Sequence, residues 1–524
     1  MRRTLLRSVV SSVALLLLTS GAVQAEVRLP AVFSDHMVLQ RDSELPVWGW
    51  ADAGEKVTVS FRDQSKSTTA GDDGTWKVTL EPVKVGDASE LKVAGENTVT
   101  FKDVLVGEVW VCSGQSNMGW TVNRSLDPDL EAAAADYPKI RLFQVPLKTA
   151  TEPQQDVDAE WKHCTPETIP NFTAVGYFFG RQLHQTLDVP VGLIMTAWGG
   201  TRAEAWTSPD AMASTTTLKP ILDTWAQRSE SYDADAAKKR YEAALERWKQ
   251  QAATARDAGK PVPRRPQLQG NPRTDRHHPS NLYNAMVAPL TPFAIKGAIW
   301  YQGESNASRA YQYRTLMPTM ITSWRDAWDQ GAFPFYMVQL ANFREIKDQP
   351  VESDWAELRE AQSLTAEAIP NVGVACITDI GAAKDIHPKD KQNVGKRLAR
   401  LALVNDYGMD GITKQGPTYR SFDIESGKCV VHFDTYGSKL TTYYREPLTG
   451  FAIAGADKKW HWAQAKITGP DTVEVWHPEV KEPMAVRYNW ADNPQGTLFS
   501  EMYLPAYPFR TDDWPGVTES NVTP

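Results

Sequence analysis

The clearest structural signal in this chain is the stretch Val106-Gly-Glu-Val-Trp-Val-Cys-Ser-Gly-Gln-Ser-Asn-Met-Gly-Trp120. Apolar residues run up to a glycine, and a serine then follows between a glutamine and an asparagine. A buried parallel strand that ends in such a turn presents the Ser116 hydroxyl at the rim of a sheet, where nucleophilic catalysis needs it. The order Gly114-Gln-Ser-Asn-Met118 is not the G-x-S-x-G elbow, so the stretch does not predict a lipase-type turn.

From this stretch onward, residues 106–405 alternate between strand and helix patterns. The predicted strands are continuously apolar, which is typical of a parallel sheet covered by helices on both faces. They lie at 106–112, 140–145, 191–195, 297–302, 335–340 and 373–379. An open α/β sheet binds its ligands beyond the carboxyl ends of its strands, so the residues just after each strand are the candidates for a site.

The domain organisation follows from shifts in this pattern. Residues 26–105 read as short β-strands, 106–414 as an α/β domain and 415–524 as a second β region. The pattern allows the two β regions to pack together as one sandwich. Residues 209–270 read as a helical insertion in the α/β domain, either a lid or, as its charged surface favours, a surface hairpin.

The first 25 residues have the pattern of a cleavable signal peptide. A basic head with Arg2, Arg3 and Arg7 precedes an apolar run, and Val23-Gln-Ala25 gives a small-residue cleavage site before Glu26. We therefore expect a periplasmic or secreted protein. Loss of the three arginines changes the formal net charge from -8 to -11 (-8 - 3 = -11), which argues against nucleic acid and anionic membranes as partners.

The numbers and spacing of cysteine and tryptophan residues limit the kinds of site that the chain can form. The four cysteines do not have the spacing of a disulfide scaffold or of a zinc site, although an exported protein could still form one bridge. They are Cys112, Cys164, Cys376 and Cys429. The 19 tryptophans suit sugar stacking and core packing equally well.

Polar groups follow four of the predicted strands. They are Ser116, Ala197-Trp-Gly-Gly-Thr201, Gln302-Gly-Glu-Ser-Asn306 and Asp385-Ile-His-Pro388. Acyl transfer by serine needs a hydroxyl, a histidine to accept its proton, often a carboxylate to orient that histidine, and donors aimed at the oxyanion. The chain offers a candidate for each part, so the pattern predicts a serine esterase.

The chain resembles the sialate O-acetylesterase family, within the SGNH/GDSL-like hydrolases. The resemblance covers nearly the whole chain after the signal peptide, and its motifs occur in the family's order. They are Val32-Phe-Ser-Asp-His-Met-Val-Leu-Gln40, Gly114-Gln-Ser-Asn-Met118, Trp198-Gly-Gly-Thr201, Trp300-Tyr-Gln-Gly-Glu-Ser-Asn306, Asp385-Ile-His-Pro388, Gly450-Phe-Ala-Ile-Ala-Gly455 and Arg487-Tyr488. The resemblance implies a three-layer, flavodoxin-like α/β domain with a parallel sheet, flanked by the β regions and interrupted by the helical insertion.

The resemblance implies Ser116 as nucleophile and His387 as general base. The superfamily spacing is Asp-x-x-His, whereas here Asp385 lies two residues before the histidine. Asp385 is the predicted orienting carboxylate. Asp379, Asp390 or a backbone carbonyl in a Ser-His dyad are the alternatives.

For the oxyanion, the resemblance implies the backbone N–H of the nucleophile, a glycine N–H from Gly199 or Gly200, and a side-chain amide. We favour Gln302 for the amide because it leaves its strand directly, with Asn306 as the alternative. The amides beside the nucleophile are further candidates for oxyanion or substrate binding. These are Gln115 and Asn117.

The predicted function is removal of O-acetyl groups from a carbohydrate by an exported serine esterase without metal or organic cofactor. The family points to 9-O-acetylated sialic acid as substrate, and acetylated plant hemicellulose such as xyloglucan or xylan is the alternative. A non-catalytic glycan-binding protein is the hypothesis from another class. The pattern makes no prediction of oligomeric state.

Overall fold

The computed structural model describes residues 26–524, and the predicted signal peptide at 1–25 lies outside the described residues. Short strands come first and lead into one long strand. They are β1 Val38–Gln40, β2 Leu45–Trp50, β3 Lys56–Phe61, β4 Gln64–Thr69, β5 Thr75–Leu80, β6 Ser89–Ala94 and β7 Thr98–Gly114. The first part of β7 pairs antiparallel with β6, and its second part runs in the centre of the main sheet. The strand therefore crosses residue 105, and a domain boundary at that residue stays a prediction.

The main sheet is built on β7 and six further strands. They are β8 Tyr137–Gln144, β9 Trp161–Cys164, β10 Val191–Met195, β11 Gly297–Tyr301, β12 Phe335–Val338 and β13 Val372–Ala375. The strands β10-β7-β11-β12-β13 are adjacent and parallel, which is the flavodoxin-like order 2-1-3-4-5. Parallel β8 and antiparallel β9 extend the β10 edge.

Helices cover both faces of this sheet. Residues 26–524 contain eight α-helices, α1 Pro128–Ala133, α2 Ala174–Leu187, α3 Pro209–Ser214, α4 Lys219–Glu230, α5 Ala234–Asp257, α6 Ala310–Trp328, α7 Asp354–Ala368 and α8 Lys391–Asn405. Along β7, Val109 and Val111 belong to the apolar cluster under α6 and α7, whereas Trp110 and Cys112 belong to the cluster under α2 and α8. Because both faces are covered, strands β10 to β13 carry no charged residue and are almost entirely apolar. The predicted three-layer α/β fold with a parallel sheet is confirmed.

The tryptophans contribute mainly to packing. Five of the largest fully buried side chains are tryptophans: Trp110, Trp206, Trp300, Trp324 and Trp328. The four cysteines are all buried and unpaired. No helix among the described residues is long and apolar enough to cross a membrane.

The predicted helical insertion at 209–270 contains α3, α4 and α5. The return segment packs back on the long helix: the Trp248 indole N–H donates to the Pro263 carbonyl at 2.7 Å, and the Arg265 guanidinium lies 5.9 Å from the Trp248 ring centroid. Most of α5 is exposed, which fits its charged sequence.

The C-terminal β region has a core of its own. Its strands are β14 Thr418–Glu425, β15 Lys428–Asp434, β16 Leu440–Thr442, β17 Phe451–Ala454, β18 His461–Trp462, β19 Gln464–Ile467, β20 Thr472–Trp476, β21 Ala485–Tyr488, β22 Leu498–Ser500 and β23 Phe509–Arg510. Within residues 26–524, these strands pair only with one another. The region contacts the α/β domain instead, since the Arg359 guanidinium of α7 donates to the carbonyls of Ala491 and Asp492. This places it beside the β13 edge of the sheet.

Candidate active site

The turn after β7 is shaped by Gly114. Its φ is +136°, and a Cβ on it would lie 2.2 Å from the Tyr301 carbonyl oxygen on β11. The Gln115 N–H donates to the same carbonyl at 2.9 Å. Only glycine allows this close approach, which holds half-buried Ser116 above the point where the strand order reverses.

The loop after β13 brings His387 to this serine. Nε2 of His387 lies 2.9 Å from Oγ of Ser116, a hydrogen-bond distance for proton transfer. The imidazole stacks on the Trp120 ring with centroids 4.6 Å apart and 16° between the planes. The Arg124 guanidinium lies 3.7 Å from the Trp120 centroid. The two residues that were predicted as nucleophile and base, 271 positions apart in sequence, therefore lie side by side.

The pKa of His387 is lowered from its ordinary value, first because the imidazole is partly buried and then because Lys391 and Arg124 are positive neighbours. Asp385 acts in the opposite direction. The shift keeps the imidazole neutral near pH 7, which is the form that can accept a proton from serine.

Three aspartates were candidates for orienting His387, and only Asp385 contacts it among the described residues. Its Oδ1 accepts the backbone N–H of His387 at 2.9 Å and lies 3.6 Å from Nδ1, beyond hydrogen-bond length. Its side chain is 48% exposed. Asp379 makes a bidentate ion pair with Arg397 at 2.6 and 2.7 Å, and Asp390 accepts an N–H at the start of α8 as its N-cap.

The glycine loop after β10 lies against the nucleophile. A Cβ on Gly199 would lie 3.3 Å from the Ser116 Cβ, and Gly200 has a φ of +74°. Within the described part of the chain, the backbone N–H groups of Ser116, Gly199 and Gly200 donate to no protein acceptor. They are therefore free to meet an oxyanion that forms beside the Ser116 hydroxyl.

The two amides from the loop after β11 are engaged within the protein. Gln302 donates both amide hydrogens, to the Thr201 carbonyl at 3.2 Å and to Oδ1 of Asn306 at 2.6 Å. Asn306 in turn accepts the Ala203 N–H at 3.0 Å and donates to Oε2 of Glu204 at 2.9 Å. Both side chains are fully buried, and they hold the glycine loop in place.

Asn117, next to the nucleophile, is only 1% exposed. Its Nδ2 donates to Oε1 of Glu304 at 2.6 Å and to the Ile386 carbonyl at 3.0 Å, and its Oδ1 accepts from Nζ of Lys391 at 2.6 Å. The amide thus joins the Ser116 turn directly to the residue before His387. The other candidate beside the nucleophile, Gln115, accepts the Ser305 N–H at 3.4 Å and is also buried.

Sequence reasoning missed Lys391 altogether. This lysine opens α8, is fully buried, and lies 5.0 Å from the Tyr301 ring centroid. Burial lowers its pKa to about 7, and burial also raises the pKa of the Glu304 carboxyl. A lysine in the run Lys389-Asp-Lys391 is typical of an exposed helix start, so the sequence contained no signal for its burial.

A family model and similar proteins show the family of the chain. The family model described as carbohydrate esterase, sialic acid-specific acetylesterase, matches residues 106–258 and 269–404. The chain belongs to this family. It is 29% identical to the sialate O-acetylesterase of Rattus norvegicus over 92% of this chain and 94% of that protein. It is 28% identical to the human sialate O-acetylesterase over 94% of this chain and 95% of that protein.

A solved structure is also similar over nearly the whole chain. The carbohydrate acetylesterase from Xanthomonas citri has 36% identical residues and a TM-score of 0.79, covering 93% of this chain and 100% of that chain. Together with the family match, this similarity identifies the chain as a carboxylic ester hydrolase of the carbohydrate acetylesterase type.

Proposed function

We propose that Ser116 and His387 carry out the hydrolysis of carbohydrate O-acetyl esters. The observation that carries this proposal is the distance of 2.9 Å between Oγ of Ser116 and Nε2 of His387 at the carboxyl edge of the sheet. Oγ attacks the acetyl carbonyl carbon while its proton passes to Nε2. The imidazolium then protonates the departing sugar oxygen, which leaves acetyl-Ser116. Water, deprotonated by His387, attacks this ester and releases acetate and free Ser116.

The negative oxygen of each tetrahedral intermediate would be held by backbone donors. The N–H groups of Ser116 and Gly199 or Gly200 are free and adjacent. The amide hydrogens of Gln302 are already donated, so we propose that its role is to hold the glycine loop. Replacing Gly199 with Ala tests the loop, since the new methyl would press on the Ser116 Cβ at 3.3 Å and lower kcat without altering the rest of the site.

For the orientation of His387, we propose Asp385. A small rotation would bring its Oδ1 from 3.6 Å into hydrogen-bond range of Nδ1. Asp379 is paired with Arg397, and Asp390 caps the N-terminus of α8, so neither carboxylate is available to orient His387.

For the substrate, we propose an O-acetylated sialic acid, acetylated at the 9-position as the family implies. Two arginines next to the glycine loop support it. An Arg276 Nη2 lies 3.8 Å from the place of a Gly200 Cβ, and Arg202 follows the loop in sequence. In residues 26–524, neither guanidinium forms an ion pair, so both remain available for the carboxylate of an acidic sugar.

Acetylated hemicellulose, xyloglucan or xylan, is the second candidate. The formal net charge of -8 favours it, because an acidic chain suits a neutral glycan better than an acidic sugar. Acetate release from O-acetylated sialic acids and from acetylated xyloglucan oligosaccharides, measured side by side, separates the two. The first candidate is supported if the wild type has a higher kcat/KM on the sialic acid and the Arg276→Gln variant loses this preference. Unchanged values in the variant contradict it.

Hydrolysis of an aryl acetate by the wild-type enzyme tests catalysis itself. Glycan binding without any aryl acetate turnover would replace the esterase proposal by the non-catalytic alternative. Export is proposed from the signal-peptide pattern at 1–25, and it predicts a mature periplasmic or secreted chain that begins at Glu26. A full-length chain that stays in the cytoplasm contradicts it.

A further inference from the structure

We infer that a cavity beside His387 binds further sugar units of the substrate, so that the enzyme acts on acetylated oligosaccharides in preference to acetylated monosaccharides. This inference rests on the proposed esterase function. The cavity has a volume of about 860 Å³. Its walls include Asp385 and His387 from the catalytic loop, and Tyr443, Tyr444 and Tyr503 from the C-terminal β region.

The cavity lies on the side of His387 where the leaving sugar of the proposed reaction would continue. The sugar is the leaving group, and it takes its proton from His387, so it must lie against that imidazole. A sugar attached to the acetylated unit continues away from the same side chain. The cavity borders His387 and is of the size that ligand pockets commonly have, roughly 300–1,000 Å³.

The three tyrosines form one exposed aromatic cluster. Their exposed fractions are 39% for Tyr443, 69% for Tyr444 and 53% for Tyr503. The ring centroids of Tyr443 and Tyr444 are 4.5 Å apart, and those of Tyr444 and Tyr503 are 5.5 Å apart. Such a cluster is a recognition surface for rings with an apolar C–H face and a hydroxyl rim, because tyrosine offers both an apolar ring face and a hydrogen-bonding group with little loss of rotamer freedom.

The backbone that carries this cluster is strained. Tyr444, Arg445 and Tyr503 have φ angles of +45°, +64° and +54°. Bulky side chains rarely adopt this left-handed conformation, and such residues concentrate at ligand sites. The two turns leave opposite ends of the short antiparallel β16–β22 ladder, since Tyr443 directly follows Thr442 and the turn that carries Tyr503 follows Ser500. Across this ladder, the Tyr444 and Tyr503 rings still meet at 5.5 Å. The fold therefore holds the three tyrosines beside one another on a backbone with three positive φ angles.

The charges of the cavity wall suit uncharged sugar units. The charged side chains, apart from His387, are four basic and three acidic. Two of them, Arg397 and Asp379, neutralise one another. The other three basic and two acidic side chains leave only a small positive excess, so a polyanionic chain would meet repulsion as well as attraction there, whereas hydroxyl groups can hydrogen-bond to both kinds of side chain.

The test compares substrates of different length on a double variant, Tyr444→Ala with Tyr503→Ala. The substrates are an aryl acetate, an O-acetylated monosaccharide, and O-acetylated oligosaccharides of the sialylated and xyloglucan types. We expect the wild type to prefer the oligosaccharides. We expect the double variant to lose about tenfold in kcat/KM on them, chiefly through KM, and to keep its aryl acetate activity within about twofold.

The controls separate this inference from the esterase proposal. Tyr311→Ala removes a tyrosine of similar exposure, 43%, on α6, and should change none of these values. A wild type without aryl acetate turnover overturns the esterase proposal. Normal aryl acetate turnover with no loss on oligosaccharides in the double variant overturns only the sugar-binding cavity. An equal loss on all substrates also overturns it, because sugar units that an aryl acetate lacks cannot cause that loss.

Discussion

The nucleophile turn after β7 and the base loop after β13 hold the two halves of the catalytic pair in different ways. The turn lies in the middle of the sheet, where the close approach of Gly114 to Tyr301 fixes its start. The Gln115 carbonyl then accepts two N–H groups, at 3.0 and 2.9 Å, and closes it. Ser116 therefore depends on short-range backbone geometry.

The base loop lies near the edge of the sheet and is half-exposed. Its contacts come from the other side of the site, because Asn117 binds the Ile386 carbonyl and Trp120 stacks on His387. The carboxylate of the loop itself, Asp385, is at 3.6 Å and exposed. The position of the base is therefore set by residues that follow the nucleophile, Asn117 and Trp120, more than by its own loop.

Ser116→Ala should have the strongest effect. Loss of the attacking oxygen should lower kcat on an aryl acetate by about 10⁴ to 10⁶-fold. The thermal midpoint should stay close to that of the wild type, because only a half-buried hydroxyl is removed. Retained turnover in this variant would show that Ser116 is not the nucleophile.

Asn117→Ala should come next. It removes the link between the two halves, so kcat should fall about 100-fold while KM changes little. The free energy of unfolding should fall by about 1–3 kcal/mol, since Lys391 and Glu304 lose their buried partner. Asn123→Ala is the matched control, because this asparagine is exposed and should leave kcat unchanged. Equal kcat values for the two variants would mean that the base loop holds its position alone.

Asp385→Asn should have a smaller effect, about tenfold on kcat. Replacing a buried triad aspartate with asparagine lowers kcat by about 10⁴-fold. Asp385 is exposed and lies 3.6 Å from Nδ1, so it orients His387 less strongly. The comparison variant is Asp390→Asn, since asparagine also serves as an N-cap and should preserve activity. A drop of a thousandfold or more in Asp385→Asn would show that the loop tightens on substrate and that it does orient its own histidine.

The dependence on pH gives the finest test. His387 accepts a proton only when neutral, and its pKa lies below the ordinary 6.5 because of burial and of Lys391 and Arg124. The kcat/KM on an aryl acetate should therefore have its maximum value above that lowered pKa and should fall as the pH drops through it.

Lys391→Met should move this acid limb to higher pH. With a pKa of about 7, Lys391 is largely charged in the range where the limb falls, so its removal relieves His387 of a positive neighbour. Lys396→Met, an exposed lysine on the same helix, should leave the limb in place. Identical pH profiles for the wild type and Lys391→Met would show that Lys391 does not influence the pKa of His387.

Much of the fold could be read from the sequence because its signals are local. Apolar runs indicated six of the seven strands of the main sheet, all except β9, and helix-forming segments lay between most of them. The carboxyl ends of parallel strands share one edge of a sheet, so groups placed after β7 and β13 had reason to meet. Ser116 and His387 belong to this class, and the structure places them together.

The amino-acid sequence by itself determined which chemical groups stand at the strand ends and that the fold is α/β. Only the tertiary structure decided which of those groups are free to act. Gln302 leaves its strand as expected, yet its amide hydrogens are taken by Thr201 and Asn306. Likewise, a lysine at an ordinary helix start becomes buried behind the catalytic pair, and tyrosines of the C-terminal β region line a cavity beside His387. The physical reason is that hydrogen-bond saturation, burial and charge depend on neighbours distant in sequence, and packing alone assembles those neighbours.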